Sequence, residues 1–393
     1  MCQSMESKRH KTRGKVAEIF TLLIYLAMGV CHGVYCIRHG ILDQIGLLSY
    51  YVLLLVGIVA FLYIHIILHE LGHLIGGLLT GYRFVSFRIG SFMWIRRNGK
   101  LSLAKYSLAG TGGQCLMDPP EWKKGKIPFL LYNAGGVLMN LLACLVFFAA
   151  AFLLGQIAWL HAFFILGGLL GIALMLVNGI PMQVGSADND GNNIKHMRQS
   201  IQTVRCFWVQ LRINAENAKN IRIKDMPEEW FLLPSDEAMQ NGLCAAVGVA
   251  ACSRAMDQMD FALAKKLADK MLRPEYGTLP VHRYQLTTEL IFIELMGQNR
   301  RDVLQAYATR EYQKFDKVMK SNPSRLRTQY AWKLLGDKNP KAAQILLDEF
   351  EKVAARYPYA CEIEGERQLI AAVQAQYQAS NEQVESASEG SFS

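Results

Sequence analysis

The sequence predicts a mainly α-helical, polytopic membrane protein. It should have about four transmembrane helices, a small membrane-associated β-hairpin and a soluble C-terminal α-helical repeat-like domain. Three observations carry this. Four apolar runs long enough to cross a bilayer lie within the first half of the 393 residues. The composition shifts to that of a soluble helical protein from about Gln199. All the excess positive charge sits in the half that holds the apolar runs: residues 1–200 carry 17 Lys and Arg against 8 Asp and Glu, and residues 201–393 carry 25 of each. The chain is 51% hydrophobic and 19% charged with a mean hydropathy of +0.13, where soluble domains run near 25% charged. It is too long for one ordinary core. Nine scattered cysteines with no Cys-x-x-Cys pair exclude a disulfide framework or a cysteine-based zinc module and suit a reducing compartment. A basic stripe can bind nucleic acid, but no recognition module accompanies this one, so nucleic acid is not an expected partner.

The first run, residues 19–37, follows a basic arm over 1–18 that contains Lys8, Arg9, Lys11, Arg13 and Lys15. It could pass for a signal peptide. Its long apolar stretch and the lack of a clear cleavage site make it an extra transmembrane helix. The others are Ile45–Leu79, Pro128–Leu154 and Ile157–Pro181, each reaching the ~20 apolar residues a span needs. They form a membrane core over 45–198, with a polar loop at 81–127. That loop holds nine Lys and Arg against Asp118 and Glu121, and Lys195 and Arg198 follow the last span. Basic loops stay cytoplasmic, so both termini and the loop are expected in the cytosol, with the plasma membrane as host bilayer.

Inside the loop, Phe84–Trp94 is rich in aromatic and β-branched residues. Asn98-Gly99 separates it from Leu101–Tyr106, the pattern of a two-residue hairpin. Gly110-Thr111-Gly112-Gly113 follows, where another backbone can come close. Beyond 199, helical periodicity marks Glu237–Met256, Phe261–Leu272, Tyr284–Leu295, Val303–Met319 and Lys341–Ala355. Two small-residue-rich stretches, from Met259 to Pro274 and from Asn339 to Pro358, resemble the second helix of a tetratricopeptide-like unit. A helical domain over 199–379 would then serve as a docking element for a protein partner, and a polar tail over 380–393 is expected to be disordered.

The sharpest chemical signal is His69-Glu70-Leu71-Gly72-His73. On a helix, positions i and i+4 share a face. Two imidazoles there can hold one Zn²⁺ at ~2.0–2.1 Å, while the intervening Glu70 reaches water as general base. Glu70 lies among Ile66, Ile67, Leu68 and Leu71, and an ionisable group in such a span costs several kcal/mol unless it has a function. A hydrolytic zinc needs a third protein ligand and an open position. Only Asp188 and Asp190 sit at the cytosolic end of another span. Asp190 is preferred, because Gly191 lets the chain turn beside the metal, with Asp188 as the alternate. His196 and His65 are weaker candidates, and His65 reads as a packing or supporting group one turn back.

His69-Glu70-Leu71-Gly72-His73, then Gly112-Gly113, Asn133-Ala134-Gly135-Gly136-Val137-Leu138-Met139-Asn140, and Asn178-Gly179-Ile180-Pro181 with Asp190-Gly191, occur in the order seen in the site-2 protease family of intramembrane zinc metallopeptidases. The chain resembles that family over roughly residues 45–195. The resemblance implies a three-helix catalytic core in which His69, His73 and Asp190 bind Zn²⁺ and Glu70 is the base. Asn140 would be a catalytic polar group near the scissile carbonyl. Substrate would lie against Gly112, Gly113, Gln114 and Cys115 as an added strand. Two departures stand out: a longer interval from Pro181 to Asp190, and Gly136 where a proline is common. The expected activity is hydrolysis of peptide bonds in membrane-embedded or membrane-associated proteins or peptides. The alternative is an inactive membrane scaffold whose helical domain binds partners.

Overall fold

Each apolar run folds as one helix in the computed structural model, which describes residues 2–97, 99–107, 111–123, 125–184 and 187–389. Helix α1 spans Cys2–Arg38, and its stretch long and apolar enough to cross a membrane is Val16–Arg38, after most of the basic arm. A short α2 (Ile41–Ile45) leads into α3 (Leu47–Leu79). Then come α4 (Phe129–Leu153) and α5 (Ala158–Gly179). All four long helices are long and apolar enough to cross a membrane.

Their burial pattern inverts that of a water-soluble protein. Leu48, Leu55, Leu79, Leu145, Val146 and Phe152 are more than half exposed, while His65, Glu70, His73 and Asn140 are buried. Only an apolar solvent accepts so many exposed leucines, and only partners inside the bundle justify the buried polar groups. The helices approach closely where side chains are absent. A Cβ on Gly72 would lie 2.2 Å from the carbonyl oxygen of Gly135, so α3 and α4 touch backbone to backbone. Phe61 packs its ring against Phe147 and Phe163 to join α3, α4 and α5.

The loop after α3 holds four strands. They are β1 (Arg83–Ile89), β2 (Phe92–Arg97), β3 (Lys100–Lys105) and β4 (Gly113–Asp118). They form one antiparallel sheet in the order β3-β2-β1-β4. The stretch Phe84–Trp94, expected as one strand, is broken by a turn at Gly90, whose φ of +56° suits glycine. The hairpin itself is present: Arg97 pairs with Lys100 across a two-residue turn in which Gly99 has φ +80°. Asn98 and Gly110 lie outside the described residues. Strand β4 runs antiparallel to β1, with Ile89 opposite Gly113 and Phe87 opposite Cys115. After α5, strands β5 (Gln183–Val184) and β6 (Ala187–Asp188) make a minimal hairpin that leads into α6 (Asp190–Gln199) and α7 (Ile201–Ala218).

The chain divides into two compact units, residues 1–90 with 110–208 and residues 91–109 with 209–393. Composition sets the border at about 199, and the division into units comes at 208–209, within α7. The second unit holds α8 (Gly242–Asp257), α9 (Phe261–Met271), α10 (Pro280–Met296), α11 (Arg301–Tyr307), α12 (Arg310–Val318), α13 (Pro323–Ala331), α14 (Pro340–Ala354) and α15 (Ala360–Glu389). Helix α8 packs on α9 and α13 on α14, around Met256, Leu290, Phe292, Leu326 and Phe350. Val303–Met319, expected as one helix, is two. Thr309 accepts a hydrogen bond from Tyr312 N (3.2 Å) and starts α12 afresh. Buried Arg327 donates to Glu289 and Glu366, each at 2.8 Å, so no charge is left alone in this core. Helix α15 continues through the start of the tail expected to be disordered, from Ser380 to Glu389, where Gln, Glu and Ala favour helix and no Gly or Pro intervenes.

Candidate metal centre

His69 and His73 occupy successive turns of α3, so both imidazoles leave the same face. Their Nε2 atoms are 3.1 Å apart. The third group arrives from another element. Asp190 opens α6, and its Oδ2 lies 3.2 Å from Nε2 of His69 and 3.5 Å from Nε2 of His73. Among the described residues these three form the one His/Cys/Asp/Glu cluster compact enough to hold a metal ion.

Asn189 aims the carboxylate. Its side chain accepts from Asn192 N (2.9 Å), capping α6, and from Met182 N (3.1 Å). It donates to the carbonyls of Val177 and Ile180, both at 2.6 Å. One side chain thereby ties the end of α5 to the start of α6. Gly191 makes the closure possible, since a Cβ there would stand 2.1 Å from the carbonyl oxygen of Gly179. Asp188 lies outside this cluster, and its Oδ1 accepts from Nδ2 of Asn192 (2.8 Å).

The donor set fits a soft-to-borderline divalent cation. Nδ1 of His73 faces the carbonyl of Tyr132 at 2.8 Å. A carbonyl only accepts, so Nδ1 carries the hydrogen and Nε2 offers a lone pair. Oδ2 of Asp190 is buried with no hydrogen-bond partner. Lone pairs that converge without a proton between them repel unless a cation joins them. Two nitrogens and one carboxylate oxygen are the composition of a hydrolytic zinc site.

Glu70 lies between these histidines in sequence and is buried against β4. A Cβ on Gly113 would fall 2.6 Å from the Glu70 carboxylate, so glycine leaves that carboxylate its room. Gly112 faces Ile66 one turn earlier. Gln114 is opposite Arg88, and the Cys115 carbonyl accepts from Tyr132 Oη at 2.8 Å. Buried Arg88 holds the glycine-rich approach to β4, donating to the carbonyls of Gly90 (2.7 Å) and Gly113 (3.3 Å) and to the Thr111 hydroxyl. Among the described strands β4 pairs with β1 alone, and its other edge carries no strand.

Asn140 sits behind the cluster rather than in front of it. Its Nδ2 lies 3.2 Å from Nδ1 of His69 and its Oδ1 3.2 Å from Nδ1 of His65. His65 is fully buried, with Nε2 3.0 Å from the carbonyl of Gly167. A Cβ at Gly136 would stand 2.5 Å from the His69 ring, so any side chain there would displace the imidazole. His196 stays apart on α6, and burial lowers its pKa below the usual histidine value. Asn189, Arg88 and the Tyr132 carbonyl were not singled out from the sequence. Only Asn189 had a legible signal, as an asparagine just before a helix.

Three apolar helices thus enclose two helical imidazoles, with a carboxylate from a further element and a glutamate beside them. The chain matches peptidase family M50, the site-2 protease family, over residues 57–320, and it belongs to that family. No curated protein and no solved structure matches it. Metallopeptidases of this family are usually zinc-dependent.

Proposed function

We propose that the protein is an intramembrane zinc metalloprotease that hydrolyses peptide bonds of membrane-embedded or membrane-associated proteins or peptides. One observation carries the reading: His69, His73 and Asp190 converge beside Glu70 within a lipid-facing helical core. His69 and His73 would hold the metal through Nε2 and Asp190 through Oδ2. Zinc bound there supplies Lewis acidity, which polarises a carbonyl and acidifies water. Glu70 takes the proton from the attacking water and passes it to the departing amine nitrogen. Its low-polarity surroundings strengthen each of these interactions.

A substrate helix has its peptide bonds shielded and must unwind first. The open edge of β4, from Gly112 through Cys115, would pair with the freed strand and satisfy its backbone groups. Gly113 lets that strand lie close over Glu70. Asn140 is held on both sides by histidines, which favours a positioning role over contact with substrate. The basic 81–127 loop and basic N-terminal arm favour a cytosolic setting for both termini. The helical second unit would dock a protein partner.

The test is purification of the full chain in detergent with zinc analysis and a transmembrane peptide as substrate. Stoichiometric zinc and cleavage that Glu70→Gln abolishes are the expected results. Zinc without cleavage by the wild type would leave the scaffold reading.

A further inference from the structure

The amide of Asn140 bridges two histidines, and the far end of this chain of contacts decides the near end. Nε2 of His65 faces the carbonyl of Gly167 at 3.0 Å. A carbonyl only accepts, so Nε2 carries the ring hydrogen. His65 is fully buried among the spans, and its two nitrogens face a carbonyl and an amide. An imidazolium without a counter-ion there would cost several kcal/mol, so the ring is neutral and Nδ1 is an acceptor. Asn140 must therefore turn its NH₂ towards His65. Oxygen and nitrogen of an amide are told apart only by their partners, and here the partners dictate the orientation. The structure orients the amide the other way, with Nδ2 3.2 Å from Nδ1 of His69 and Oδ1 3.2 Å from Nδ1 of His65; exchanging the two atoms, as these partners require, turns the amide oxygen towards Nδ1 of His69. That nitrogen has to be N–H, and the lone pair of His69 is forced onto Nε2, which faces Asp190 and His73.

We infer that Gly167, His65 and Asn140 form a relay that fixes His69 in the one tautomer able to bind a metal through Nε2. Asn140 and His65 are positioning residues for the metal site, and the inference rests on the zinc reading above. His73 needs no such relay, because the Tyr132 carbonyl fixes it directly. The arrangement also accounts for a buried histidine and a buried asparagine that would otherwise burden lipid-facing helices.

The experiment measures the zinc dissociation constant of the full chain in detergent by competition with a chromophoric chelator. It compares the wild type, Asn140→Leu, Asn140→Asp, His65→Phe and His69→Ala, with helical content and metal-free melting checked for each. Asn140→Leu removes the acceptor for His69 and should weaken zinc by about 10–100-fold, the usual effect of losing such a partner. Asn140→Asp accepts from His69 in either orientation and should stay within about threefold of the wild type. His65→Phe keeps Asn140 but frees its amide to turn, and should weaken zinc by about fivefold or more. A purely structural role would not let Asp rescue what Leu loses. Wild-type affinity in Asn140→Leu overturns the relay. Should Asn140→Leu not fold, wild-type affinity in folded His65→Phe overturns it instead. A wild type that binds no more zinc than His69→Ala removes the metal reading itself, and the relay with it.

Discussion

Oδ2 of Asp190 stands 3.2 Å from Nε2 of His69, although the two residues belong to different helices, α6 and α3. Asn189 makes the meeting possible by tying two carbonyls at the end of α5 to the first turn of α6. Asp190→Ala should abolish stoichiometric zinc, and Asn189→Ala should weaken it by about tenfold through loss of aim. Asp188→Ala, whose carboxylate is occupied by Asn192, should retain it. Metal analysis after gel filtration reads all three.

Glu70→Gln keeps the shape of the side chain and removes its basicity. Cleavage of a transmembrane peptide should fall by about 10²–10⁴-fold, the range for a lost general base. Zinc content should stay at the wild-type level. Chelation should silence the wild type reversibly, with activity returning on added zinc.

Gly72 and Gly135 bring α3 and α4 into backbone contact. Gly72→Val would force the helices apart and should lower stability by about 1–3 kcal/mol or more, the usual result of overpacking. Leu48→Ala, on the exposed face of α3, should change little. Thermal unfolding in detergent distinguishes the two.

Much of this was legible in the sequence, for reasons that lie in local periodicity. Length and apolarity placed the four spans within a few residues of their ends. A spacing of four placed His69 and His73 on one face. Asp188 and Asp190 could not be separated that way, because the choice depends on the cap at Asn189 and on the slot between Gly191 and Gly179. The bond between His65 and Asn140 joins residues 75 positions apart, which no local pattern encodes. The turn at Gly90 was missed because apolar and β-branched residues continue on both sides of it. The break at Thr309 was missed because a cap inside a helical periodicity looks like one more polar position.

Glu362 sets a pH dependence in the second unit. It accepts from Tyr357 Oη (2.9 Å) and Asn217 Nδ2 (3.0 Å). Burial pushes its carboxyl from the usual 4.5 up to about 7. Between those values the folded chain keeps a proton that the unfolded chain has lost, so stability falls as pH rises through the window and is level above it. The side chain is only half-buried, so the loss should be about 1–3 kcal/mol. Glu362→Gln should flatten this dependence in melting curves taken from pH 4.5 to 7.5.

The vacancies at Gly72, Gly113, Gly135, Gly136 and Gly191 are each occupied by a neighbour's atoms: a carbonyl, a carboxylate or an imidazole. A library of random variants should therefore divide this protein sharply. Along the inward stripe of α3 and α4 even a single added methyl group would be rejected, whereas the outward stripe would accept almost any greasy residue. Drift over generations would thus be confined to the surface that meets lipid, and the reactive interior would stay fixed by lack of space.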